Sequence, residues 1–376
     1  MKKSISSDLN VVFVHLGQAN PRHIAPNLKL IAANYPNYRI HLILSERTDF
    51  YLEDSDNISI FRYRAKPEIE YLLTKTFKNT SFRSGFWRYS FERLFALVSF
   101  HQAYPHAKII HLESDIFLFP NCPLNRFLDL PTMSWLNVDE EKDVASIIYM
   151  PNLEQTMKFE KRLITYLEKE LESTDMFALR YIRNEYLGEY HLLPSISMDF
   201  PKLQNSNVEN INDYKRLEEM SRFNDLFSGV FDPAPYGMWL TGIDPRNNYG
   251  KTNLFDTSTI LNAKFFIDPS QYRFNYDRSE GLTLNSKNQK LRIWNLHVHS
   301  KSLDIFSNIW ESEIERLVSL SHNGAVRKEF NFRIFLSLLR SNVSERTLLP
   351  YIYYSPTGRI FRKVHDLFRR IAKRFL

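Results

Sequence analysis

With 376 residues, 43 % hydrophobic and 24 % charged, the chain has a globular make-up and can bury one large core or two modest ones. Ten glycines against 29 Phe and 20 Tyr argue against disorder, and the absence of GxGxxG or a P-loop motif sets aside a dinucleotide-binding Rossmann enzyme and a P-loop ATPase. The net charge of +6 is carried by residues 359–376, where seven Lys and Arg side chains face Asp366 alone; the body is neutral and lacks the basic groove of a nucleic-acid binder. The single Cys122 excludes an intramolecular disulfide and a cysteine zinc cluster and suits a reducing compartment. Met1-Lys-Lys leads into no signal-peptide core and no apolar run is long enough to span a bilayer, so the expectation is a cytoplasmic protein.

In chain order, Asn10–Leu16 reads as a buried strand feeding a loop over His15 to Asn20, and Ala25–Tyr35 as a helix closed by Pro36. Arg39–Leu44 and Asn57–Arg62 read as strands, with a short helix over Pro67–Thr76 between them and the next segment. The opening is therefore βαβ with a parallel sheet. From Phe86, the residues Tyr89, Leu94, Leu97, Val98 and Phe100 recur at three- and four-residue spacing, with Arg88, Glu92 and Arg93 interleaved, which predicts a helix ending at Pro105. Lys108–Leu112 is a short apolar strand, and Glu113-Ser114-Asp115 follows it at once. Paired carboxylates at the carboxyl end of a buried strand sit where open α/β sheets bind ligands. They are costly to bury unpaired, so a divalent cation, and through it a diphosphate, is the expected partner; the alternative is a strand-end Asp capping the next turn.

Arg93-Leu94 on the helix, followed by Ile110-His-Leu-Glu113-Ser-Asp115-Ile116, resembles the arginine, strand and DxD signature of GT-A glycosyltransferases, the fold of glycogenin-like and bacterial lipopolysaccharide sugar transferases. This chain departs from it by Glu at the first acidic position. The resemblance implies an α/β fold, a GT-A-like Rossmann-type mixed sheet flanked by helices, in which Asp115 and Glu113 hold Mn²⁺ or Mg²⁺ on a nucleotide-sugar diphosphate, a UDP-sugar first, with Ser114 beside it. It also implies that Arg93, with Arg88 as second candidate, approaches the nucleotide sugar, and that His15 and Gly17 touch the base. The other reading of Arg93 is an ion pair with Glu92 or Glu113, and that of His15 is a strand-end histidine satisfied by backbone.

Further on, Leu130–Tyr149 reads as strand–loop–strand, Leu153–Leu171 and Asp175–Leu187 as helices, and the Asn-rich Asp199–Leu217 as a loop. Phe231–Gly250 gathers three of the ten glycines with Asp232, Asp244 and Arg246, a density that means unusual φ values or a close approach. Tyr236 and Trp239, with Gly237 and Arg246, offer a floor for an acceptor sugar; the alternative is a buried turn cluster. In an inverting reaction Asp244, and after it Asp232, is the candidate base. In Leu291–Lys301, read as one strand, Ile293, Asn295, His297 and His299 share a face and two imidazoles can reach one cation. The resemblance makes His299, with His297 as rival, the late-chain metal ligand and Lys301 a diphosphate contact. Residues 304–339 read as helical, and 359–376 as an amphipathic helix with a basic face, suited to an anionic membrane surface or to docking on the protein.

The expectation is a GT-A-like catalytic domain over 1–303 and a helical region over 304–376. It would be a metal-dependent glycosyltransferase acting on a glycan or lipid-linked acceptor, peripheral on the inner membrane and without nucleic acid as partner. The rivals are a metal-dependent phosphodiesterase or nucleotidyltransferase, and a non-catalytic carbohydrate-binding protein of the same fold.

Overall fold

The computed structural model describes residues 9–17, 21–46, 48–50, 57–78, 85–139, 141–169, 174–197, 211–242, 267, 269, 272–285, 290–299 and 304–322. Strand β1 (Leu9–His15) lies between two hydrophobic layers because its side chains alternate: Val12 and Val14 enter one core cluster, Leu9, Val11 and Phe13 the other. It pairs in parallel with β2 (Arg39–Ser45) on one side and β4 (Lys108–Leu112) on the other, and β2 pairs with β3 (Ile58–Tyr63). Helix α1 (Ile24–Asn34) covers one face, and α2 (Pro67–Thr76) and α3 (Phe86–Ala103) the other.

Beyond β4 the direction reverses. β7 (Asp143–Met150) runs antiparallel to β4, β6 (Ser134–Asn137) antiparallel to β7, and β8 (His191–Leu192) parallel to β6. The seven strands lie in the order β3-β2-β1-β4-β7-β6-β8, a mixed α/β sheet. The sequence moves outward from β1 in both directions, so the crevice at the carboxyl ends of β1 and β4 is a topological switch point.

Helices α4 (Leu153–Glu168) and α5 (Asp175–Glu185) complete the layer with α3, and α5 is tied to the sheet by charge. The Asp143 carboxylate, fully buried, accepts from Arg183 Nε at 2.7 Å, Trp135 Nε1 at 2.8 Å and Asn137 Nδ2 at 2.7 Å. Burial pushes its pKa up, but the Arg183 guanidinium outweighs that and holds it below the usual carboxylate range.

Two elements differ from the sequence reading. The Asn-rich stretch before Leu217 runs into a helix, α6 (Ile211–Ser221), because Leu217 and Met220, three apart, are buried in the core. A short helix α7 (Asn224–Phe227) follows, then α8 (Pro235–Thr241). The strand read over Leu291–Lys301 is two pieces, β11 (Lys290–Ile293) and β12 (Asn295–His297). The break falls at Trp294, whose N–H goes to Val230 O at 2.9 Å while its ring enters a different cluster from Ile293 and Leu296.

β11 closes an antiparallel meander with β9 (Arg273–Asp277) and β10 (Gly281–Asn285), whereas β12 pairs with β5 (Ile116–Leu118). These small sheets and α9 (Trp310–His322) enclose a third cluster around Phe117, Phe274, Leu296 and Ile314. Residues 323–376, with the remainder of the predicted C-terminal helices, lie outside the described residues.

The Asp143–Arg183 pair gives a stability test. Asp143→Ala leaves the buried Arg183 guanidinium with the half-exposed Glu219 alone, 2.8 Å away, and should cost about 3 kcal/mol in urea unfolding at neutral pH. Because the folded carboxyl titrates below its unfolded value, the contribution is present above the ordinary Asp pKa and is lost as the pH falls. The gap between wild type and variant should therefore narrow in acid.

Candidate metal centre

Strand β4 delivers Glu113, Ser114 and Asp115 to the sheet's carboxyl edge, and the turn that follows is pinned from two sides. Glu113 N–H donates to Ser146 O at 2.9 Å, on β7. From α1, Asn27 Nδ2 donates to Ser114 O at 3.0 Å and Ile116 O at 2.8 Å, and His23 Nε2 lies 3.2 Å from Ser114 Oγ. The third contribution comes from the far end of the chain. β12 pairs with β5 in the register His297↔Ile116, and Val298 N–H donates to Asp115 O at 2.8 Å.

His297 Nε2 consequently stands 3.3 Å from Glu113 Oε2 and 3.6 Å from Asp115 Oδ1. Among the described residues, Glu113, Asp115 and His297 form a group whose ligand atoms all lie within 4.8 Å of one another. His297 is buried, and burial alone would lower its pKa; Asp115 first and then Glu113 outweigh it and lift the imidazole to about 9.

Arg93, on α3, donates to Glu113 Oε1 and to Asp175 Oδ2 at the start of α5. Of the two sequence readings for Arg93, the structure shows the ion pair with Glu113, which leaves Glu113 Oε2 turned toward His297. Its second partner, Asp175, was not singled out in the sequence, where it reads as an acidic residue in a helix's first turn behind the N-cap Thr174. Its only signal is burial, which tertiary contact creates.

Three carboxylates thus meet one guanidinium and one histidine. With the imidazole neutral the described group carries two excess negative charges, and a divalent ion would balance them. The oxygen donors and imidazole suit Mn²⁺ or Mg²⁺.

The other sequence candidates are placed as follows. His15 is half-buried at the end of β1, and Gly17, at φ +100°, is fixed by Thr48 Oγ1 donating to its carbonyl at 2.8 Å. Arg88 is turned to α2, donating to both Glu70 oxygens at 2.6 and 2.7 Å. His299 stacks beside His297 with ring centroids 4.1 Å apart.

Three expectations are overturned by burial and packing. Tyr236 is no open sugar platform: it is 2 % exposed, sits in the third core cluster and donates its hydroxyl to Ser195 O at 3.2 Å. Gly237 makes the close approach that its neighbourhood suggested, but to this chain: a Cβ there would stand 2.2 Å from His297 O. Asp232 is fully buried with both carboxylate oxygens accepting backbone N–H groups, which takes it out of reach of an acceptor hydroxyl. Burial pushes its pKa up to about 6. Trp239 is half-exposed at the rim of the same cluster, and Asp244, Arg246 and Lys301 lie outside the described residues.

No protein-family model matches the chain, and no curated protein sequence does. Among solved structures, the galactosyltransferase LgtC in complex with donor and acceptor sugar analogues superposes at a TM-score of 0.38 and 12 % identity, covering 56 % of this chain and 83 % of that one. An active-site mutant of LgtC gives 0.38 at 10 % identity with the same coverage. A glycosyltransferase involved in the glycosylation of the major capsid of PBCV-1 gives 0.31 at 11 %, covering 49 % and 80 %.

The carboxylates around His297 make a prediction for the metal-free protein. A histidine whose folded pKa is raised contributes stability that is full below its unfolded value near 6.5 and is lost as the pH rises through about 9. Thermal unfolding in EDTA should show that loss between pH 7 and 9, and Asp115→Asn should flatten it.

Proposed function

We propose that the protein is a metal-dependent glycosyltransferase of GT-A-like build, moving a sugar from a nucleotide-diphosphate donor to a glycan or lipid-linked acceptor. The observation that carries this reading is the convergence of Glu113, Asp115 and His297 at the carboxyl ends of β1 and β4, from segments about 180 residues apart. The GT-A resemblance calls for that pairing of an early acidic motif with a late histidine, and the register of β5 with β12, which sets His297 opposite Ile116, supports His297 over His299 for the role.

A divalent ion bound there would supply Lewis-acid stabilisation to a departing nucleoside diphosphate. The chain's own residues supply the rest. Glu113 and Asp115 concentrate negative charge at the switch point, and Arg93 orients Glu113 by taking its outer oxygen. His297 turns Nε2 to the centre of the group, since its Nδ1 is engaged by Pro233 O at 3.0 Å. The loop after β1, from His15 and Gly17, reaches the same edge and is the proposed contact for the base. With Asp232 committed to backbone, Asp244 is the candidate base for an inverting reaction, and Lys301 the proposed diphosphate contact. The basic stretch 359–376 would bring the active centre to an anionic membrane surface. No helix among the described residues is long and apolar enough to cross one.

The test is thermal unfolding with UDP, GDP or CMP, each with and without Mn²⁺, followed by product analysis with the matching nucleotide sugars. A nucleotide at about 100 times its Kd should stabilise by about 2.7 kcal/mol. The shift should require Mn²⁺ and vanish in Asp115→Asn, and turnover should release a nucleoside diphosphate. Release of a monophosphate or of pyrophosphate would instead identify a phosphodiesterase or nucleotidyltransferase.

A further inference from the structure

His297 meets Glu113 and Asp115 through Nε2, and a short segment, residues 232–237, holds it from behind. The Asp232 carboxylate accepts three main-chain N–H groups: Tyr236 N at 3.1 Å on Oδ1, and Gly237 N at 2.7 Å and His297 N at 2.9 Å on Oδ2. The first two are unpaired donors in the first turn of α8, where Pro235 at the leading position has none to offer. The third belongs to β12 and points away from β5. One carboxylate therefore joins the start of a helix to the strand that carries His297.

The joint is closed by two further contacts. Asp232 exchanges backbone hydrogen bonds with the Asn295 side chain, its N–H donating to Oδ1 at 2.8 Å and its carbonyl accepting from Nδ2 at 3.1 Å. Gly237 lets α8 lie directly on the His297 carbonyl, where any Cβ would collide with backbone. The next carbonyl, Pro233 O, then lies 3.0 Å from His297 Nδ1 and leaves Nε2 for the carboxylates. A histidine that ligates a metal through one nitrogen is oriented by what its other nitrogen donates to.

We propose that Asp232 is the positioning residue of this centre: it locks the His297 backbone to α8 and aims its Nε2, through Pro233, at Glu113 and Asp115. It acts through His297 and does not exchange a proton with an acceptor. The proposal rests on the metal reading given above.

Two substitutions separate positioning from base chemistry. Asp232→Ala removes all three acceptor contacts, and Mn²⁺ affinity of the folded protein, measured by electron paramagnetic resonance titration, should fall about 10- to 100-fold. Asp232→Asn keeps one carbonyl oxygen for Gly237 and His297 while its amide nitrogen loses the Tyr236 contact, and should retain clearly more Mn²⁺ affinity and sugar transfer than Asp232→Ala. A base must be a carboxylate, so Asp232→Asn as inactive as Asp232→Ala, with Mn²⁺ affinity intact in both, would overturn the proposal. So would wild-type Mn²⁺ affinity in a folded Asp232→Ala whose only change is a lower Tm.

If Asp232→Ala does not fold, nitrogen NMR of the wild-type protein loaded with Cd²⁺ decides. His297 should be metallated at Nε2 and protonated at Nδ1; metallation at Nδ1, or no metallation of His297, overturns the assignment. Gly237→Ala, which wedges the same joint, should weaken Mn²⁺ binding in the same sense. A wild-type protein that takes up no Mn²⁺ removes the metal reading itself, whereas wild-type uptake with an unaffected Asp232→Ala removes only this inference.

Discussion

The site depends on a three-residue strand pairing. β5 and β12 meet in the register Asn295↔Leu118, Leu296↔Phe117 and His297↔Ile116, extended by Phe119 N–H to Trp294 O and Val298 N–H to Asp115 O. Side chains alternate along a strand, so a slip of one residue would turn His297 into the third core cluster and Leu296 toward the acidic motif. Burial of Leu296 and Val298 on one side and of Phe117 beneath them makes that slip costly, because it would place an imidazole among Phe274, Leu282 and Ile305. The hydrophobic packing of the small sheets therefore sets the position of a polar group.

Electrostatics then constrains what the pairing brings together. Asp115 and Asp175 are buried and Glu113 is half-buried, and each is answered: Asp175 by Arg93, Glu113 by Arg93 and His297, Asp115 by His297. The Arg93 bridge links the acidic motif to the start of α5, and the buried Asp143–Arg183 pair fixes the other end of that helix to the sheet. The region on the antiparallel side of the sheet is thereby held to the acidic motif and to the sheet through two guanidinium groups. A buried ion pair adds little net stability when both partners are present, but it forbids arrangements that would separate them.

Much of the frame was legible in the sequence. The strands β1, β2, β4 and β7 are runs of mostly buried β-branched and aliphatic residues, β3 is a largely exposed edge strand carried by Ile58, Ile60, Phe61 and Tyr63, and helices α1 to α5 show their apolar faces at three- and four-residue spacing. Both signals are local, and the elements fall within a few residues of where they were read. The first two strands of the meander, β9 and β10, were not legible, because each has five residues and in Arg273–Asp277 only Phe274 is buried. Helix α6 was hidden by the Asn-rich residues before it, since two buried positions make too weak a pattern. The break at Trp294 left only a small mark, the adjacent Ile293 and Trp294 where the apolar set changes faces, and its cause, Val230 taking the Trp294 N–H, is tertiary.

The sequence by itself determined that an acidic pair would stand at the end of a buried strand, that histidines would gather late in the chain, and that residues 231–250 were conformationally special. Those conclusions follow from residue type and spacing, which are properties of short segments. Only the tertiary structure decided what each group would face. It gave Arg93 to Glu113 and Asp175, turned Asp232 from solvent to three backbone N–H groups, and buried Tyr236. It also set Gly237 against the His297 carbonyl. Partners in a site are chosen by contacts between segments distant in sequence, and the free energy that chooses them is burial shared among many side chains, which no single stretch contains.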